Sequence, residues 1–365
     1  MGTIMTVLGP IKPKALGLTS MHEHILYNGS IYRRRFLKVL PPEDELPVKP
    51  DDLVTLENIT FHKQNFLMSW DACSMYDESV MTDEMADFKA SGGSAMVDMS
   101  VPGLRSNLNA IRRISKKAGV HIVATTGLYS EDSWPVDFQD MSTDQYAAYM
   151  REEIQNGIED TGIRAGHIKV AIETGPTEQG KKLLKAVAEI SNETGLSASI
   201  HHGMRMTLDE IRDIMKILLR AGMDPSRTIM SHMQNSISCM ELKKLVRDPA
   251  TRTLSLDFNK EVLDQGFNVA HDCFGQDFRI ISLGTVLPAD WQNIAAIYEL
   301  CRDGYAGQIV LATDTFLKIL TRRFGGGGYV YLTTCVLPQL EQVGVAKKAI
   351  EKMTVENPAR LLAGE

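Results

Sequence analysis

Among the nine histidines of this 365-residue chain, four stand where they could share a cation. His22 and His24 bracket Glu23 inside a β-rich run. Residues i and i+2 of a strand face the same way, so both imidazoles can reach one ion. His201 closes the run Ser199-Ile200, and His232 closes Met230-Ser231. A lone histidine at such a place is more often a hydrogen-bonded core residue. Two of them one βα unit apart, with His-x-His upstream, favour ligation. His202 points the opposite way from His201 on a regular strand and reads as a packing or supporting group. Asp314 ends the apolar run Ile309-Val310-Leu311-Ala312-Thr313. A carboxylate there is costly to bury unless it is paired or bound to a cation. The competing reading is a helix N-cap, which aspartate also suits. Ligand and general base is the stronger one. Lys169, in His167-Ile168-Lys169-Val170, looks wrong for such a site, because an ammonium has no acceptor and repels cations.

The elements that must position these groups alternate along the chain. Strands are expected at 17–24, 95–100, 121–126, 167–171, 196–201, 228–232, 268–272 and 309–313. Amphipathic helices lie between them. The stretch 181–193 carries Leu184, Val187 and Ile190 on one face, and 207–221 carries Leu208, Ile211, Met215 and Leu218. Thr207 and Glu210 form a capping-box pair at the start of the second. Strands alternating with helices imply parallel pairing. At this length the leading architecture is an α/β fold of the (β/α)8 TIM-barrel type, one domain over 1–365. A doubly wound sheet is disfavoured, since no GxGxxG follows the first strand. Lys169, His201 and His232 recur one βα unit apart, so they end successive strands at one mouth of the barrel. Two insertions, at about 28–93 and 233–265, are expected to hang over that C-terminal face, the first with a helix near 60–70. Gly325 to Gly328 lacks the GK[ST] of a phosphate loop and reads as a loop after strand eight.

Composition narrows the function further. A net charge of −7 argues against nucleic-acid partners. No apolar run is long enough for a membrane span. The stretch 1–14 lacks the basic and apolar regions of a signal peptide. The five cysteines are scattered and never paired as CxxC, which suits reduced thiols. A cytoplasmic protein without membrane association is expected.

The motif segments together resemble the phosphotriesterase family of the amidohydrolase superfamily. They are GLTSMHEHI at 17–25, GIRAGHIKV at 162–170, the strand ending at His201, IMSHM at 229–233, LATD at 311–314 and VENPARLL at 355–362. The resemblance spans nearly the whole chain in the family's order. It implies a hydrolase with two divalent metal ions, zinc first and manganese or cobalt in its place. His22, His24 and Asp314 would hold the buried ion, and His201 and His232 the exposed one. Lys169 would be carbamylated by carbon dioxide and bridge the two with a hydroxide. That water, acidified by two cations, would be the nucleophile, the exposed ion would polarise the substrate oxygen, and Asp314 would accept the proton. Lys169, His232 and Asp314 are then the catalytic set. Homodimers are common in the family.

The substrate residues depart from familiar members. Asp272 keeps the family's aspartate, but Cys273 stands where related phosphotriester hydrolases have histidine and lactonases arginine. Asn235 occupies the place of a relay carboxylate. Tyr129 lies past the third strand, where the family has a pocket aromatic. His271, Arg205 and the cluster Arg33 to Arg35 lie within sequence reach of the mouth. Taken together, these cations favour an anionic small-molecule ester, so an organophosphorus ester such as a phosphonate is expected first. A lactone comes second, and a non-catalytic, metal-stabilised binding barrel is the third reading.

Overall fold

The computed structural model describes residues 2–276, 278 and 283–364. Eight strands pair in parallel in chain order: β1 (Thr19–Glu23), β2 (Ala95–Asp98), β3 (His121–Leu128), β4 (His167–Ile172), β5 (Ala198–His202), β6 (Thr228–Met230), β7 (Asn268–His271) and β8 (Ile309–Leu311). Helices such as Glu178–Thr194 and Leu208–Arg220 surround them, giving the expected TIM-barrel fold. Each expected strand is present, with ends displaced by one to a few residues. The strands after β5 are shorter than expected because the chain leaves the ladder before the polar residues that follow.

The periodic apolar residues do the packing. Leu183, Leu184, Val187 and Ile190 of one helix are buried against the sheet, as are Ile211, Met215 and Leu218 of the next. Leu208, by contrast, is 38 % exposed. Thr207 and Glu210 make the reciprocal cap read from the sequence. Inside the barrel, Met21, Val97, Val123, Ile229, Ala270 and Val310 form an apolar layer. Above it the lining turns polar. His167 lies on the same face of β4 as Lys169, its ring nitrogens satisfied by Ser197 Oγ at 2.9 Å and Ser199 Oγ at 2.8 Å.

The seam between β8 and β1 is closed by a side chain. Backbone contact there includes Asp314 N donating to His22 O at 3.1 Å. Buried Glu23 then accepts from Thr313 N (2.8 Å), Thr313 Oγ1 (2.7 Å), Thr315 N (2.8 Å) and Ser20 Oγ (2.5 Å). The residue between the two histidines thus ties the first strand to the segment carrying Asp314.

The first insertion contributes to the mouth: Tyr32, Arg35 and Phe36 of helix Ser30–Phe36 and Phe66 of the turn Phe66–Met68 line the cavity there. Its expected helix over 60–70 is shorter, Ile59–Gln64. Asn65 adopts an extended backbone and its side chain accepts from Leu67 N, which starts a separate turn. The second insertion folds as short helices, including Leu242–Arg247 and Asp257–Asp264. Gly325 to Gly328 turns back onto the chain, with Gly326 N donating to Thr321 O and Gly328 N to Leu320 O. Among the described residues, no helix is long and apolar enough to cross a membrane.

Candidate metal centre and substrate cavity

The strand ends bring the sequence-picked ligands into one cluster. His22 and His24 leave β1 toward Asp314, whose Oδ1 lies 3.8 Å from His22 Nε2 and 3.6 Å from His24 Nε2. One ligating atom from each of these three residues lies within 4.8 Å of the others. Lys169 Nζ lies 3.0 Å from His22 Nε2. Across the mouth, His201 Nδ1 and His232 Nε2 face each other at 2.7 Å. These atoms suit divalent cations: imidazole and carboxylate are ordinary zinc ligands, and His22 Nδ1 has no hydrogen-bond partner. The second cluster, of His232, Asp272, Cys273 and Asp314, is equally tight.

Backbone strain sets several of these side chains. His232, Cys273 and Asp314 have φ of 58°, 59° and 51°, in the left-handed region that L-residues seldom enter. Each sits just past a strand, where the turn swings its side chain over the barrel. Lys169 depends on its neighbour strand. Gly127 in β3 pairs with it at φ +116°, and a Cβ there would lie 2.0 Å from Lys169 O.

Supporting groups orient the rings. His232 Nδ1 donates to Asp272 Oδ1 at 2.8 Å, which turns Nε2 toward His201. Gln234 holds the same carboxylate oxygen at 2.9 Å. His24 Nδ1 bonds Ser100 Oγ at 2.9 Å. His201 Nε2 lies 3.3 Å from Glu173 Oε1, which also takes Tyr129 OH at 3.0 Å and Arg35 Nη1 at 3.1 Å. Tyr129 OH is bonded in turn to Tyr32 OH.

Burial dominates the proton affinities. It pushes His22 and His24 well below the usual histidine value, helped by the Lys169 charge. Burial, reinforced by the His232 charge, lowers His201 to about 3. Burial also lowers His232, but the Asp272 carboxylate beside it outweighs this and raises the net value. Lys169 falls to about 8, burial outweighing the nearby Asp314 and Asp272 charges. Burial lifts the Asp314 carboxyl above its ordinary value, and the Asp272 charge adds to this. Neutral imidazoles are the ligating form.

The cluster opens into a cavity of about 140 Å³. Its exposed wall is mostly apolar, and Phe36, Phe66, Phe278 and Phe316 line it beside Tyr32 and Tyr129. Cys273, Asn235 and the buried His202 also line it. Three expected substrate residues stand elsewhere. His271 is buried on the outer side of β7 between Asn259 and Asn293, because the strand alternation turns it away from the mouth. Arg205 is exposed and donates to Leu283 O. Asp272 is wholly buried behind His232 and Cys273, whose Sγ lies 3.2 Å from its Oδ1. The arginine cluster also disperses. Arg33 is buried over the Trp70 ring and Arg34 bonds Ser30. Only Arg35 reaches the cavity, held by Asp132 at 2.7 Å and by Glu173. Sequence reasoning missed Glu173. The signal was present, since it directly follows β4, and Asp314 comes three residues after β8.

The model of the phosphotriesterase family matches residues 2–362. The chain belongs to the phosphotriesterase family. Members are metal-dependent hydrolases with a binuclear site, and this chain is a hydrolase of that family, with a His/Asp cluster able to bind metal. It is 31% identical over 362 residues to a phosphotriesterase-related protein of Nematostella vectensis, covering 98% of this chain and 97% of that one. It is 28% identical over 364 residues to the N-acetyltaurine hydrolase of Xenopus tropicalis, covering 99% and 98%. Among solved structures it resembles a resiniferatoxin-binding protein from Rhodobacter sphaeroides, with a TM-score of 0.87, 28% identity and coverage of 99% and 95%. The Xenopus tropicalis relative is named for hydrolysis of a small molecule.

Proposed function

We propose that this family member holds two divalent cations, zinc first and manganese or cobalt in its place, and cleaves a carboxylic acyl bond in a small, largely apolar molecule. His22, His24 and Asp314 would hold the inner ion and His201 and His232 the outer one, with Lys169 between the two groups. Bound there, the ions would acidify water and polarise the scissile carbonyl or phosphoryl oxygen.

The residues of the chain supply the rest. Lys169 is 1 % exposed, and among the described residues no carboxylate lies within 4 Å of its Nζ. Burial outweighs the more distant Asp314 and Asp272 charges, which moves the amine toward its neutral form. Addition to carbon dioxide forms an N–C bond and releases a proton, turning this acceptorless group into an anionic ligand. Asp314 turns Oδ1 toward His22 and His24, and its Oδ2 lies 3.5 Å from Cys273 Sγ. We assign the proton of the attacking water to this carboxylate. Phe66, Phe278 and Phe316 exclude water and pack the apolar part of the substrate.

The observation that carries the choice of substrate is the cavity wall. It is mostly apolar, and the arginine that reaches it is already paired with Asp132 and Glu173. An anionic phosphonate was expected from the arginine cluster and loses that support. The N-acetyltaurine hydrolase relatives are named for an N-acyl substrate, which favours carbonyl chemistry. A phosphorus ester is the second reading, favoured by the family match itself. We further assign the chain to one barrel domain, 1–365, in a reducing cytoplasm, which the five free cysteines support.

The test is kcat/KM of metal-loaded protein, with bicarbonate, on an N-acyl amide, a small lactone, a nitrophenyl phosphonate monoester and a phosphotriester. A carbonyl substrate should lead by tenfold or more. A lead for either phosphorus ester overturns the acyl reading.

A further inference from the structure

Glu173 stands at the end of β4, outside the proposed ligand set, yet three donors converge on its Oε1: His201, Tyr129 and Arg35. Arg35 comes from the first insertion and Tyr129 from the end of β3. No other acceptor is found for His201 Nε2 among the described residues. The other nitrogen, Nδ1, faces His232 Nε2 at 2.7 Å. His232 carries its ring proton on Nδ1, toward Asp272.

We propose that Glu173 is a positioning residue: by accepting the Nε2 proton of His201 it selects the tautomer whose bare Nδ1 faces His232 Nε2. Asp272 performs the same service for His232 from the opposite side. Without a cation, the bare Nδ1 of His201 accepts a hydrogen bond across that 2.7 Å contact; a cation would take the place of the shared proton, with Nδ1 of His201 and Nε2 of His232 as its two donors. Arg35 and Tyr129 hold Glu173 for this purpose. The insertion is thereby joined through one carboxylate to the mouth of the barrel, which explains why Arg35 reaches the cavity without being free to bind an anion. The metal part of this inference rests on the cation assignment made above, whereas the tautomer part does not.

The experiment uses full-length protein with ¹⁵N-labelled histidine rings, stripped of metal, in which His201 is identified from a His201→Asn spectrum. In the wild type, His201 should show a protonated Nε2 and a bare Nδ1. In Glu173→Leu that preference should disappear, while Glu173→Gln, which keeps an acceptor oxygen, should restore most of it. Circular dichroism confirms that each variant is folded, and Tyr129→Phe, which leaves the carboxylate in place, serves as the milder variant and should keep the tautomer. Zinc titration against a chelator follows on the same samples. The weaker of two ions should lose about 10–100-fold in affinity in Glu173→Leu, with the tighter one unchanged. An unchanged His201 tautomer in Glu173→Leu overturns the proposal. A wild type that binds fewer than two ions overturns the cation assignment and leaves the tautomer result to be judged by itself.

Discussion

Removal of the Glu23 carboxylate is the perturbation whose magnitude follows most directly from the structure. Glu23→Ala strips the β8–β1 seam of an acceptor for two backbone N–H groups, those of Thr313 and Thr315, and for the hydroxyls of Ser20 and Thr313. The hydroxyls can rotate, and Thr313 Oγ1 already lies 2.9 Å from Thr315 Oγ1. The amides cannot. Each buried amide left unpaired costs about 1–3 kcal/mol, so the loss should be about 2–6 kcal/mol, less whatever an entering water recovers. Against a total of roughly 5–15 kcal/mol the protein should still fold. Glu23→Gln keeps an oxygen for Ser20 and Thr313 but sets an NH₂ against Thr315 N–H, which predicts about 1–3 kcal/mol. Urea unfolding measures both. Because His22, His24 and Asp314 flank the seam, metal content should fall alongside stability. A loss under about 1 kcal/mol for the alanine variant, below the smallest cost of even one unpaired amide, would refute the account of the seam.

Three further outcomes are expected. Asp314→Asn should keep its metal yet lose turnover by about 10²–10⁴-fold, and an undiminished rate would remove the general-base role. Chelation should abolish activity, with full recovery requiring both a divalent ion and bicarbonate. Full recovery in carbonate-free buffer would exclude the carbamate on Lys169. Away from the site, burial lifts Glu84 from the ordinary 4.5 to about 6. The folded state therefore holds this proton where the unfolded chain has lost it, and stability falls as pH rises through 4.5 to 6, by about 2 kcal/mol. Glu84→Gln should flatten that window and gain up to the same about 2 kcal/mol at pH 7.5, read from urea midpoints at several pH values.

Much of the fold was written locally. Apolar runs bounded by turn residues marked all eight strands, and helical spacing with a Thr207/Glu210 cap marked the helix Leu208–Arg220. These signals depend on neighbours in the chain, so sequence carries them. The same is true of His22, His24, His201, His232 and Asp314 as a set, because strand ends of a parallel barrel must share a mouth. What the sequence could not decide was where charge finally resides. Arg33, Arg34 and Arg35 are adjacent in sequence, yet one lies over Trp70, one on Ser30 and one between Asp132 and Glu173. His271 and Asp272 are neighbours too, but strand alternation sends the first outward and the second under His232. The left-handed turns at His232, Cys273 and Asp314, and the clasp of Glu23 on residues nearly 300 positions away, exist only once the barrel closes. Pairing of buried charges is a long-range competition among carboxylates, and only the assembled tertiary structure settles which of them wins.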